Sequence, residues 1–252
     1  MTLRLSAVLL VCAAFVTGNA IAETVTIAAE DDWAPYSSVK ADKSGPEGLS
    51  PDLVRAAFKT QGVDVVFLAV PFARCLQYAK TGRALACFNA TIIDSNRDIY
   101  HWHPTPLFEE ELAIFGPQSA PDTPVTVKDL EGRNLGVTIG YTYPTEIMEN
   151  KKIRKFSATS DHNLLQMLAA KRVDYILINT MPGYMRIYQD PQLKGKIKKV
   201  GVISLDGFWL GFSKADKNGQ RMAETFEKGL RQIKTDGTYQ KIYGDFRKRF
   251  GQ

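Results

Sequence analysis

Apolar positions along this chain follow two rhythms, and each implies an element. Short apolar or alternating runs at residues 25–29, 63–70, 84–88, 112–115, 135–139, 173–178, 199–205 and 208–212 predict strands. Between them lie segments of helical spacing. Ser50-Pro51-Asp52 combines a capping serine, a first-turn proline and an acid near the positive end of a helix, and Leu53, Val54, Ala57 and Phe58 follow at helical intervals until Gly62. Helices are also predicted over 71–81 (stopping at Gly82), over 144–150, from Ser160-Asp161 through Leu168, over 218–235 and from Thr238 onward. Asp206-Gly207 reads as a turn. This alternation argues for an α/β protein.

The richest turn cluster, Gly116 to Pro124, is the best boundary between two α/β blocks. The N-terminus belongs to neither block. Arg4, the apolar run 5–16 and the small residues of Ala20-Ile21-Ala22 read as a signal peptide over 1–22, cleaved before Glu23. Its apolar core is short for a membrane span. Cleavage leaves 230 of the 252 residues, enough for two small lobes. The formal charge falls from +5 to +4, because Arg4 leaves with the leader and no acid does. The basic runs 194–199 and 247–249 carry no nucleic-acid signature and read as solvated faces, so nucleic acid is not an expected partner. The cysteines that remain, Cys75 on a predicted helix and Cys87 on the following strand, fit either a disulfide suited to an oxidising compartment or two buried thiols. His101 and His103 alternate on an extended segment without a further ligand cluster, so neither a metal nor a cofactor is expected.

The most informative stretch runs from Asn89 to Arg97, a polar loop leaving the apolar strand 84–88. Ligands of open α/β sheets sit beyond the carboxyl ends of strands. There, an arginine fork matches a carboxylate bidentately. The second block offers similar polar strand ends at Thr142 and Asn179. Two lobes presenting such loops to one cleft would bury most of a small ligand.

Over residues 24–250 the chain resembles the periplasmic solute-binding proteins of ABC transporters, in the family that binds polar amino acids (bacterial extracellular solute-binding protein family 3). The marks are Trp33-Ala34-Pro35-Tyr36, Gly48-Leu49-Ser50-Pro51-Asp52-Leu53, Asn89 to Arg97, Asp129-Leu130-Glu131-Gly132, Gly140-Tyr141-Thr142, Lys171-Arg172-Val173-Asp174 and the run from Asp236 to Tyr243. The resemblance implies the two-lobed periplasmic binding protein fold (type II), each lobe a sheet flanked by helices, with two hinge crossings. Lobe 1 would comprise 23–115 plus 208–252 and lobe 2 would comprise 120–203, with hinges near 116–119 and 204–207. It also implies ligand enclosure by hinge closure.

Arg97 matches the family arginine that grips a ligand carboxylate, and Thr142 a hydroxyl that reaches the same group. Trp33 matches an aromatic pocket wall, and Asn89 and Thr91 lie on the loop that helps hold the ligand. The departure is Asn179, which stands where the family has an aspartate for the ligand ammonium. An amide gives a hydrogen bond of roughly half the strength of a charge-assisted one. An acid of the first loop, Glu30, Asp31 or Asp32, restores the charge if that loop turns inward. Arg74 reads either as a second anion contact or as an exposed helical arginine, and Tyr141 as a residue of the cleft rim. Trp102, Phe208 and Trp209 read as core.

The leading reading is a monomeric, non-catalytic periplasmic receptor. It captures a small carboxylate-bearing polar solute for an inner-membrane ABC permease or a sensor. The alternatives are a dehydratase-like enzyme on the same fold, with Glu30, Asp31 and His103 as the available acid–base groups, and an adaptor without a ligand.

Overall fold

The computed structural model describes residues 23–249. From its start, β1 (Glu23–Glu30) is followed by three short strands, β2 (Asp32–Trp33), β3 (Ser37–Val39) and β4 (Pro46–Glu47). Then come α1 (Leu49–Thr60), β5 (Val63–Val70), α2 (Phe72–Thr81), β6 (Ala86–Ala90), β7 (Tyr100–Trp102) and β8 (Phe108–Pro117). A 3-10 turn at Val127–Leu130 leads into β9 (Asn134–Thr138), α3 (Thr145–Met148), β10 (Arg154–Ala158), α4 (Asp161–Ala169), β11 (Tyr175–Asn179) and α5 (Thr180–Gln189). The chain closes with β12 (Ile197–Ser213), α6 (Gly219–Thr235) and α7 (Thr238–Arg249).

The strand order β10-β9-β11-β8-β12-β6-β1-β5 explains the two-lobed shape. A parallel block, β6-β1-β5, stands at one end, with Glu23 opposite Val63 through Glu30 opposite Val70. A second parallel block, β11-β9-β10, stands at the other. Between them runs an antiparallel ribbon in which β8 and β12 stay paired from Pro117 opposite Ile197 to Phe108 opposite Phe208. Each block buries its own apolar side chains. Ile27, Leu53, Phe58, Phe212 and Phe226 belong to one core, and Leu164, Leu165, Ile176 and Ile178 to the other.

Local sequence accounts for most elements. The apolar stripe of α1 is buried, and the chain leaves the helix through Gln61 and Gly62, the latter at φ 70°. Helices α1 and α6 touch so closely that a Cβ on Gly229 would collide with the Ala57 carbonyl oxygen. Helix α2 stops at Gly82 in the left-handed conformation, and Ser160 caps α4 by accepting the Asn163 N–H at 3.2 Å.

Four expectations need correction. Ser50 is not the cap of α1; Gly48 is, and Ser50 lies inside the helix, buried, with its hydroxyl 2.5 Å from Asn89 Oδ1. Asp206-Gly207 does not turn the chain, because β12 runs straight through it as a 17-residue strand. Strand β10 escaped the apolar signal because it is a largely exposed sheet edge. Helix α5 was masked by Pro182 and Gly183, yet proline is tolerated in a first helical turn, and Gly183 is where a Cβ would come within 2.6 Å of the Phe115 ring.

Cys75 of α2 and Cys87 of β6 form a disulfide with their Cα atoms 5.4 Å apart, which settles the alternative in favour of the bond. It closes a short loop (sequence separation 12). Replacing both cysteines with alanine should lower the unfolding free energy by about 3 kcal/mol in urea titrations, and a loss below about 0.5 kcal/mol would contradict that estimate.

Candidate functional site

The carboxyl ends of the strands converge on one cavity. Glu30 ends β1 and Trp33 follows it; Asn89 and Thr91 lie at the end of β6, and Phe72 opens α2. Tyr141, Thr142 and Tyr143 after β9, with Leu177, Ile178 and Asn179 of β11, form the facing wall. Leu112 of β8 and Asp206 and Phe208 of β12 close the base. The cavity they line is narrow, about 30 Å³.

Polar contacts cross from one wall to the other. The Tyr141 hydroxyl donates to Glu30 Oε1 at 2.7 Å. The hydroxyls of Thr91 and Thr142 meet at 2.5 Å. Farther out, Arg186 of α5 donates to Asp32 at 2.8 Å (Oδ1) and 2.9 Å (backbone oxygen). Thr138 and Asp161 add a bond of 2.6 Å beneath the second wall.

No Lys, Arg or His among the described residues lines this cavity, while two carboxylates do. Burial makes the charged form of an unpaired carboxylate costly. Burial pushes Glu30 up to about 8, and the Tyr141 hydroxyl and Asn89 amide oppose that shift without cancelling it. Asp206 is raised for the same reason, and Asp161, behind the wall, is raised to about 6 by burial. Trp33 Nε1 is buried with no partner within hydrogen-bond distance among the described residues.

Residues 25–249 match the family described as bacterial extracellular solute-binding proteins, family 3. The chain belongs to this family. Among the relatives of this family 3 protein is the ABC transporter arginine-binding protein 1 of Escherichia coli (strain K12), 26% identical over 231 residues, which cover 91% of this chain and 93% of that protein. Another is the lysine/arginine/ornithine-binding periplasmic protein of the same strain, 26% identical over 238 residues, 90% of either chain. A solved structure of an ancestral arginine-binding protein bound to arginine shares the fold, with a TM-score of 0.76 at 22% identity, covering 88% of this chain and 97% of that one. By their names these relatives are binding proteins rather than enzymes, and one is periplasmic. The predicted signal peptide, 1–22, lies outside the described residues.

Of the residues singled out in the sequence, Trp33, Asn89, Thr91, Tyr141, Thr142 and Asn179 line the cavity together. Asn89 adopts φ 65°, a conformation asparagine tolerates, and Ser50 holds its carbonyl. The Asn179 amide donates to the Glu111 carbonyl at 3.2 Å. The two arginines are not in the wall. The Arg97 side chain is 61% exposed and pairs with Asp94 at 3.2 Å. Arg74 is an exposed residue in the first turn of α2, and its charge reaches Asp31.

Among the acids of the first loop, Glu30 is the one in the wall. His103 is elsewhere, buried, with Nε2 accepting the Leu210 N–H at 3.0 Å, and burial holds it below its ordinary range. Phe72, Tyr143, Asp206 and Phe208 were missed as site residues. Phe208 is both core and wall, as a buried aromatic at a lobe junction can be. Asp206 was hidden by its reading as a turn.

Glu30 sheds its proton near 4.5 when unfolded and near 8 when folded, so between those values the folded protein holds a proton that the unfolded chain has lost. Its contribution to stability is complete below the lower value and is lost as pH rises through the upper one. Urea midpoints of the protein without added solute should fall between about pH 6 and 8, and Glu30→Gln should flatten that decline. The Asp161 contribution below about 6 should persist in the variant. An unchanged slope in Glu30→Gln would contradict the assignment.

Proposed function

We propose that this family 3 protein is a periplasmic receptor for a small polar solute carrying both a carboxylate and a cationic group, an amino acid or a close derivative. It hands that solute to an inner-membrane ABC permease or a sensor. The observation that carries the reading is Glu30, a buried carboxylate in the cavity wall with no cation beside it. A solute ammonium or guanidinium supplies that cation and forms a charge-assisted bond, of the kind that contributes about 1.5–3 kcal/mol. Asn179 is left to offer a neutral hydrogen bond.

Arg97 takes the carboxylate by releasing Asp94, a step that costs little because exposed ion pairs contribute about 1 kcal/mol or less. Thr91 and Thr142 exchange their mutual bond for bonds to the solute, Trp33 and Tyr141 wall the pocket, and Arg74 guards the rim. The moving bodies are residues 23–115 with 208–252 on one side and 120–203 on the other, hinged near 116–119 and 204–207. The names of the relatives, which bind arginine, lysine, ornithine or histidine, support this class of solute. The receptor acts without chemical conversion of its cargo.

A thermal-shift screen of amino acids, derivatives and plain carboxylates on unfolded and refolded protein tests the reading. A true solute at a thousandfold excess over its Kd should stabilise the protein by about 4 kcal/mol. The shift should fall strongly in Arg97→Ala and in Glu30→Gln. Because Glu30 must ionise to pair with a cation, binding should release a proton and tighten as pH rises, by up to about tenfold per unit below 8. Calorimetry in buffers of different ionisation enthalpy measures that release. No shift with any compound, or shifts only with carboxylates that lack a cation, would overturn the proposal.

A further inference from the structure

The cavity wall carries a second acid for which the family resemblance gives no role. Asp206 lies on β12, opposite Glu110 of β8, and its neighbour Leu205 lies opposite Glu111. Glu111 is the residue whose carbonyl accepts the Asn179 amide, and Asn179 itself lies opposite Leu112 on the other edge of β8. Asn179 and Asp206 therefore flank the same stretch of β8 from its two sides, and both reach the cavity. Where the neutral amide stands, one of its N–H groups is committed to the ribbon. On the other side of β8 a carboxylate lines the same space.

Three further observations say what that carboxylate serves. The wall holds no basic side chain among the described residues, so the acid has no partner of opposite charge there. Trp33, a lining residue only 2% exposed, keeps a buried Nε1–H with no partner among the described residues, which marks the cavity as a space to be filled by a polar solute. The walls also present aromatic rings, among them Trp33, Phe72, Tyr141 and Phe208, whose faces attract cations.

We propose that Asp206 is the second cation subsite of this cavity, on the opposite side of β8 from the position where Asn179 stands. It holds the ammonium beside the solute's carboxylate while Glu30 holds a cationic side chain. The inference rests on the receptor reading above and sharpens it. With Glu30 and Asp206 on one side of the charge balance and Arg97 on the other, the complementary solute carries two cations and one carboxylate, a dibasic amino acid. A solute with a single ammonium would leave one of the two acids without a cation, either the buried Glu30 or the half-buried Asp206.

Calorimetric titration of the full mature chain, unfolded and refolded, with three probes separates the subsites. L-arginine carries both cations, L-citrulline lacks the side-chain charge, and 5-guanidinopentanoate lacks the ammonium. Asp206→Asn should weaken L-arginine and L-citrulline by about tenfold or more and leave 5-guanidinopentanoate within about twofold. Glu30→Gln should show the reverse pattern, weakening L-arginine and 5-guanidinopentanoate and sparing L-citrulline. Unfolding temperatures measured alongside confirm that each variant is folded, and Asp206→Ser replaces Asp206→Asn if the latter is not. The inference is overturned if L-arginine binds Asp206→Asn within about twofold of the unmodified protein, or if the variant weakens all three probes equally. If the unmodified protein binds none of the three, the dibasic class falls, and with it the role given to Asp206. The receptor reading stands or falls separately, on the broader thermal-shift screen.

Discussion

The β8–β12 ribbon is the constraint on which the molecule depends. Both strands feed both cores, Phe108 and Phe208 one and Phe115 and Ile197 the other. Strand β12 stays extended for 17 residues, with irregular register between Lys199 and Gly201 and between Val202 and Ser204. A continuous ladder keeps backbone groups satisfied while the chain passes from one core to the other. Local irregularities in such a ladder add bend and twist without breaking it. Because the parallel blocks are attached to this ribbon, their carboxyl ends face one another. The cavity is therefore a product of topology before any side chain is chosen.

Side-chain chemistry then gives the cavity a sign. Glu30 and Asp206 come from different ends of the chain, yet the fold brings them to a single wall without a basic neighbour. An arrangement of this kind is unfavourable for the folded protein alone, since desolvated carboxylates are costly until neutralised. A cation arriving there would recover that cost. Glu110, half-buried on the ribbon, shows a different solution. It accepts the Tyr36 hydroxyl and the Met181 N–H, and so ties the base of one core to the start of α5. Glu110 thus serves the architecture, whereas Glu30 and Asp206 line the cavity without a cation beside them.

Much of this was legible in the sequence, and the exceptions have physical causes. Continuous apolar runs located the strands enclosed on both faces, such as β6, and partial alternation located the half-exposed β5, which was predicted at its observed bounds. The polar strand ends Asn89, Thr142 and Asn179 were found because they interrupt such runs. Edge strand β10 has little apolar surface to bury and so gave no signal. Helix α5 was obscured by residues that usually break helices. Asp206-Gly207 has the composition of a turn, and only the long-range pairing with β8 reveals a strand there, so the second acid of the wall could not be seen from local sequence. Ser50 had the identity of a cap but serves Asn89 instead, a contact 39 residues distant.

The Cys75–Cys87 bond joins the helix that begins with the cavity residue Phe72 to the strand that carries Asn89. It therefore anchors two parts of one wall to each other. In a reducing compartment the thiols would separate, and that wall would be free to breathe as independent pieces. The recognition surface thus reaches its full rigidity only where the surroundings are oxidising. With the two thiols reduced, the chain would carry the same cavity residues yet incur an added entropy of ordering whenever it met a solute, so redox state and rigidity are coupled through one covalent bond.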